Sequence, residues 1–139
     1  MYKTPREAEA AFYDAFQRAD LDAMKQVWAN DDDVLCIHPM GPRLEGRESV
    51  LASWGNIFAG GAGLRFDITG ASYTGDESVS VHSVYENISY GEDFSQHSMV
   101  IATNVYRLTG QGWRMCSHHG SPGRQSVVAV TTPSDATMH

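Results

Sequence analysis

The stretch 97-HSMVIATNVYRL-108 decides the fold. Read at the period of two at which strand side chains alternate, one face carries His97, Met99, Ile101, Thr103, Val105 and Arg107. The other carries Ser98, Val100, Ala102, Asn104, Tyr106 and Leu108. Neither set is cleanly polar. A sheet with one face in water alternates apolar with polar residues, so this strand belongs to a sheet covered on both sides.

The strand has neighbours of the same kind. From Leu64 onward the helical period disappears and Val, Ile, Thr and Tyr become frequent. Turn residues at 74-TGDES-78, 90-YGED-93 and 109-TGQG-112 divide the segment into four strands joined by hairpins, an antiparallel meander ending in 113-WRMCSHHGSPG-123.

The first half of the chain is helical. Thr4, Pro5 and Glu7 form a capping box at the start of 4-TPREAEAAFYDAFQRAD-20, and Ala8, Ala11, Phe12, Ala15, Phe16 and Ala19 make one apolar stripe. A second helix follows with Asp20 as cap and Leu21, Met24, Val27 and Trp28 on one side. The acidic run 30–33 ends it and reads as a solvated connection. A short strand, 34-VLCIH-38, leads into 39-PMGPRLEGRES-49, which the prolines and glycines mark as a loop. A third helix has Val50, Leu51, Trp54, Ile57 and Phe58 on its apolar face and stops at the glycine-rich 59–63. Gly55 inside it implies close packing or a tolerated defect.

Three helices cover one face of a long sheet, which leaves the other to a second copy of the same sheet. The expectation is a homodimer through the outer face, with the helices closing the inner face into a cone that holds a small hydrophobic organic ligand. Composition narrows the partners further. The 139 residues amount to one domain, with 42% hydrophobic residues and 17 acidic against 10 basic side chains, a formal charge of −7. No basic run exists to meet phosphate backbones or anionic lipid, so neither nucleic acid nor membrane is an expected partner. The charged N-terminal segment lacks the apolar core of a signal peptide, which gives a cytoplasmic expectation. Cys36 and Cys116 read as reduced, buried small side chains. The domain is expected over 1–123. Residues 124–139 form an extension whose 127-VVAV-130 reads as an edge strand, an arm across the dimer or a cover for the pocket mouth, before a flexible end.

The order helix, helix, short strand, 37-IHPMGPRLEGRESVLASW-54, then a curled meander closing on 112-GWRMCSHHGSP-122, resembles the NTF2-like superfamily. Within it the chain resembles the SnoaL-like, ketosteroid-isomerase-related group. The closing strand is also similar to that of the calcium/calmodulin-dependent kinase II association domain. The resemblance covers about residues 5–122 and implies an α+β cone, N-terminal helices packed on a strongly curved antiparallel sheet. It implies one of two functions. The first is a cofactor-free pocket enzyme, an isomerase or lyase performing acid–base isomerisation, dehydration or cyclisation. The second is a non-catalytic ligand-binding or dimerisation module of the same superfamily, and fold alone does not choose between them.

An acid–base pocket needs a carboxylate or histidine base facing a hydrogen-bond donor. The candidates for the chemistry are Glu86, His38 and His119, with Trp54, His97 and Asn104 contacting substrate. Glu86 stands out because a carboxylate within an apolar strand must be paired, solvated or shifted in pKa. The resemblance matches His119 to the second histidine of the closing strand and places it in the cone. It matches Asn104 to a pocket position that is arginine in the kinase domain, and it offers no counterpart to the aspartate base of ketosteroid isomerase. His38, His97 and His119 have no metal-ligand spacing, and no metal or cofactor is expected. His118 and His119, as strand neighbours, leave opposite faces of the sheet.

Overall fold

The computed structural model describes residues 1–124. The chain runs α1 (Pro5–Arg18), α2 (Leu21–Val27), β1 (Leu35–Ile37), β2 (Arg43–Glu45), α3 (Arg47–Phe58), β3 (Arg65–Gly75), β4 (Val79–Tyr90), β5 (Gln96–Thr109) and β6 (Gly112–Pro122). A short 3-10 turn, Glu92–Phe94, joins β4 to β5. The extension beyond Arg124, including 127-VVAV-130, lies outside the described residues.

The caps are those written in the sequence. Thr4 Oγ1 accepts from the Glu7 backbone N–H at 3.1 Å, and Asp20 Oδ1 accepts from Ala23 N–H at 3.0 Å, each satisfying a donor that the helix itself cannot. The stripe of α1 buries Ala8, Phe12 and Ala15 completely, and it is wider than the apolar residues alone indicate, since Glu9 and Tyr13 are buried beside them. Gly55 of α3 sits over Leu21, where an added Cβ would stand 3.6 Å from Cδ2, ordinary contact.

Among the described residues, six strands form one sheet in the order β2-β1-β6-β5-β4-β3. Two features differ from the sequence reading. The segment expected to be loop throughout contains β2, which pairs antiparallel with β1 (Cys36 opposite Leu44). The sheet is also mixed, because β1 runs parallel to β6, with Cys36 opposite His118. The remaining pairs are antiparallel. The acidic run is not simply solvated either: Arg107 Nη2 of β5 lies 2.6 Å from both carboxylate oxygens of Asp31, and Nη1 donates to the Asp33 carbonyl.

Bulges curl the sheet around the helices. In β3 the register shifts between Thr69 and Ser72, and Gly70 holds φ +60 with the Tyr85 ring where a Cβ would stand, so a side chain there would be excluded by both backbone and neighbour. In β6 Tyr106 faces Met115 but Val105 faces Ser117, leaving Cys116 as the extra residue. The core gathers on the concave face: Phe12, Met24, Val27, Trp28, Val50, Trp54, Tyr106 and Met115 are fully buried there. Cys36 and Cys116 are free thiols, the first buried and the second half-buried; burial pushes the Cys36 thiol up to about 12. No helix among the described residues is long and apolar enough to cross a membrane.

Candidate functional site

Strand register places polar side chains in a row on the concave face. His82, Asn104 and His118 stand opposite one another on β4, β5 and β6, and Glu86 lies on the same parity of β4 as His82. All four are buried. Buried polar groups must find partners, and here α1 supplies the missing ones from 73 and 91 residues away.

The resulting chain is directional. His118 Nδ1 lies 2.6 Å from Asn104 Oδ1, Asn104 Nδ2 donates to Tyr13 Oη at 2.9 Å, and Tyr13 Oη donates to Glu86 Oε2 at 2.6 Å. Because the amide oxygen only accepts, His118 carries its proton on Nδ1 and leaves the Nε2 lone pair free for chemistry. Every donor points toward Glu86. Burial raises the Glu86 carboxyl to about 7, opposed by the Tyr13 hydrogen bond, and burial also pushes the Tyr13 phenol upward, reinforced by the Glu86 charge. Burial lowers His118 to about 3, helped by the neighbouring charges of His38 and His119. A histidine kept neutral and a carboxyl poised near neutrality, joined through an amide and a phenol, can bind a polar group and move a proton.

The aromatic walls are close. Phe12 packs against Tyr13, Trp54 and His118 with ring centroids 4.8, 5.6 and 5.1 Å apart. Trp54 is fully buried and its Nε1–H has no partner among the described residues. His38 flanks the site: its ring is 4.8 Å from Trp54 and 6.3 Å from His118. Its Nε2 lies 2.9 Å from Ser53 Oγ, whose own proton goes to the Val50 carbonyl, so His38 donates and its Nδ1 is the free nitrogen. Burial lowers its pKa. A cleft of about 250 Å³ opens between Phe16, Ile57, Phe58 and the 60–64 segment; Phe16 forms part of its wall and stacks 4.4 Å from Phe66, which in turn lies 5.7 Å from Tyr13.

Of the residues singled out in the sequence, Glu86, Asn104 and Trp54 lie together inside, with His38 at their edge. Two lie elsewhere. His119 is exposed on the convex face and His118 takes the interior position, because the bulge at Cys116 inverts the parity of β6: Trp113 and Met115 point inward before it, His118 and Gly120 after it. His97 is exposed near the start of β5, 3.2 Å from Ser89 Oγ, three residues beyond the buried Glu86–Val100 pair. Sequence reasoning missed Tyr13 and His118. Tyr13 stood next to Phe12, and the signal for it was a polar-tipped aromatic flanking the helix stripe, which a strand carboxylate of matching parity would need.

The comparisons agree with this architecture. A SnoaL-like domain model matches residues 6–125. A candidate calcium/calmodulin-dependent protein kinase type II association domain from Thiobacillus denitrificans is 38% identical, covers 89% of this chain and 98% of its own, and superposes with a TM-score of 0.83. A candidate dehydratase of the NTF2-like family from Streptomyces avermitilis is 32% identical over 85% of this chain and 92% of its own, with a TM-score of 0.75. Among curated proteins, the F-box protein SKIP8 of Arabidopsis thaliana is 28% identical over 112 residues, 79% of this chain. The match spans 46% of that protein, about half its length. The chain thus belongs to the SnoaL-like family of the NTF2-like superfamily, with an α+β cone.

Proposed function

We propose that the domain is a cofactor-free acid–base enzyme acting on a small, largely apolar carbonyl compound, with Glu86 as the base. The observation that carries this reading is the 2.6 Å Tyr13–Glu86 hydrogen bond in the buried interior, which couples a carboxyl raised to about 7 to a phenol donor. Glu86 takes a proton from the carbon next to the carbonyl. The second Asn104 Nδ2 proton and the unpartnered Trp54 Nε1–H are the donors available to the developing enolate oxygen, since the Tyr13 hydroxyl proton is held by Glu86. Glu86, now protonated, returns the proton at the second position, and the free lone pairs of His118 Nε2 and His38 Nδ1 accept hydrogen bonds from a substrate hydroxyl. Isomerisation, dehydration and cyclisation share this first step. The ligand enters from the cleft beside Phe16 and Phe58, displacing the rings of Phe16 and Phe66. The same reading pairs two copies through the convex face, where Tyr85 and Ile101, opposite each other on β4 and β5, are 44% and 38% exposed.

A second reading has a specific observation in its favour. Phe12, Phe16, Trp54, Phe58 and Phe66 interlock across the interior, and the relay satisfies its own hydrogen bonds without a ligand. That packing suits a non-catalytic binding or dimerisation module. Proton exchange into an enolisable ketone by the wild-type chain and by Glu86→Gln separates the two readings.

A further inference from the structure

Another polar cluster lies beside the Asn104–His118 row on the concave face, at the start of α1. Ser80 and His82 share a parity on β4, and Ser80 Oγ lies 2.8 Å from His82 Nε2. His82 Nδ1 lies 3.1 Å from Glu9 Oε1. A carboxylate only accepts, so the ring proton is on Nδ1, the Nε2 lone pair faces Ser80, and the serine hydroxyl donates to it. The ring is held on both sides: Tyr73 and Tyr106 pack at 4.5 and 4.7 Å, and Tyr73 Oη donates to the second Glu9 oxygen at 3.4 Å. Hydroxyl, imidazole and carboxylate thus stand in the order and tautomer that activate a serine nucleophile.

The cluster is also reachable. Ser80 and His82 line a cleft of about 310 Å³ with Thr4, Pro5, Arg6 and Tyr73, and the Arg6 guanidinium lies 4.2 Å over the Tyr73 ring.

We propose that Ser80, His82 and Glu9 form a second catalytic site, a serine nucleophile that cleaves small uncharged esters, separate from the Glu86 chemistry. Ser80 Oγ attacks the ester carbonyl carbon while its proton passes to His82 Nε2. The tetrahedral intermediate collapses, the C–O bond to the alcohol breaks, and the departing alkoxide takes the proton from Nε2. Water then attacks the acyl-serine, giving its proton to Nε2, and Ser80 recovers that proton as the carboxylic acid leaves. Arg6 is the cation on the cleft wall available to the oxyanion of both intermediates. Glu9 touches no reacting atom and acts as a positioning residue that holds the tautomer.

The test uses a fluorophosphonate probe with peptide mapping, alongside hydrolysis of p-nitrophenyl acetate. The wild-type chain is expected to carry one phosphonyl group, on Ser80, and to hydrolyse the ester above buffer. Ser80→Ala abolishes both, and His82→Gln slows acylation by about 10²–10⁴-fold. Glu9→Gln can offer its amide N–H to Nδ1 and favour the other tautomer, so kcat is expected to fall with KM for p-nitrophenyl acetate unchanged, and nitrogen NMR of His82 to lose the Nδ1–H tautomer. Labelling of the wild-type chain at some other residue, no labelling at all, or equal hydrolysis by wild type and Ser80→Ala overturns the site. An unchanged kcat with an unchanged His82 tautomer in Glu9→Gln overturns the role given to Glu9.

Discussion

Tyr13 Oη donates a 2.6 Å hydrogen bond to Glu86 Oε2, joining α1 to β4 across 73 residues of sequence. This bond both ties the helix layer to the sheet and holds the Glu86 carboxyl below the value that burial alone would give it. Tyr13→Phe keeps the ring packed on Phe12 and Phe66 and removes the hydroxyl that donates to Glu86 and accepts from Asn104 Nδ2. The variant is expected to lose about 1.5–3 kcal/mol in urea unfolding at pH 8, as for a hydrogen bond to a charged group. Its Glu86 carboxyl, followed by carbon-detected NMR, titrates above the wild-type value.

The Glu86 carboxyl also sets a pH dependence of stability. Its ordinary value is 4.5 and its folded value about 7, so between these limits the folded chain binds the proton more tightly than the unfolded chain. Stability from this group is fully present below pH 4.5 and is lost as the pH rises to about 7, on the order of 3 kcal/mol. The difference in unfolding free energy between wild type and Glu86→Gln, measured at intervals from pH 4.5 to 8, is expected to trace that loss. A difference that stays flat across the window contradicts it.

His118 and His119 are adjacent in sequence and opposite in consequence. His118→Ala leaves Asn104 Oδ1 without its donor and opens a cavity beside Phe12 and Trp54, so a loss of about 2–4 kcal/mol is expected. His119→Ala on the exposed face should stay within about 0.5 kcal/mol. Burial lowers His118 to about 3, so its stability contribution is complete above the ordinary histidine value of 6.5 and is lost as the pH falls toward 3. Nitrogen NMR of the wild-type ring at pH 5 is expected to show the neutral Nδ1–H tautomer.

The convex face gives a separate prediction. Ile101 and Tyr85 lie side by side on neighbouring strands, both substantially exposed. Ile101→Glu places a charge in the centre of the proposed dimer contact, where an unpaired charge costs several kcal/mol. Sedimentation at micromolar concentration is expected to give a dimer for wild type and a monomer for the variant, with the cone unchanged by circular dichroism. A wild-type monomer removes the dimer from the account.

Much of this architecture is legible in the sequence, and the parts that are not share a cause. Thr4, Pro5 and Glu7, Asp20, and the turn residues before Val79 and after Thr109 act through neighbours a few residues away, so their pattern survives in one dimension. Which parity of β4 and β5 turns Glu86 and Asn104 inward is not written locally, because neither face of 97–108 is cleanly polar. The side on which His118 emerges depends on one extra residue at Cys116, and a bulge leaves no mark in composition. Tyr13 and Glu9 take their meaning from strand residues 73 positions away, and β2 is ordered by pairing with β1 rather than by its own Pro- and Gly-bounded sequence. Tertiary partners decide such positions, whereas local propensity decides the helix caps.

The central claim, that Glu86 is a base in an enclosed acid–base site, is tested most directly by exchange of the α-protons of an enolisable aromatic ketone in deuterated buffer, followed by proton NMR across pH 5–9. Exchange by the wild-type chain is expected to exceed that in buffer, to rise through a midpoint of about 7, and to fall by about 10²–10⁴-fold in Glu86→Gln. Exchange that equals buffer in the wild-type chain, or that persists unchanged in Glu86→Gln, contradicts it and leaves the tightly packed interior to a binding or dimerisation module.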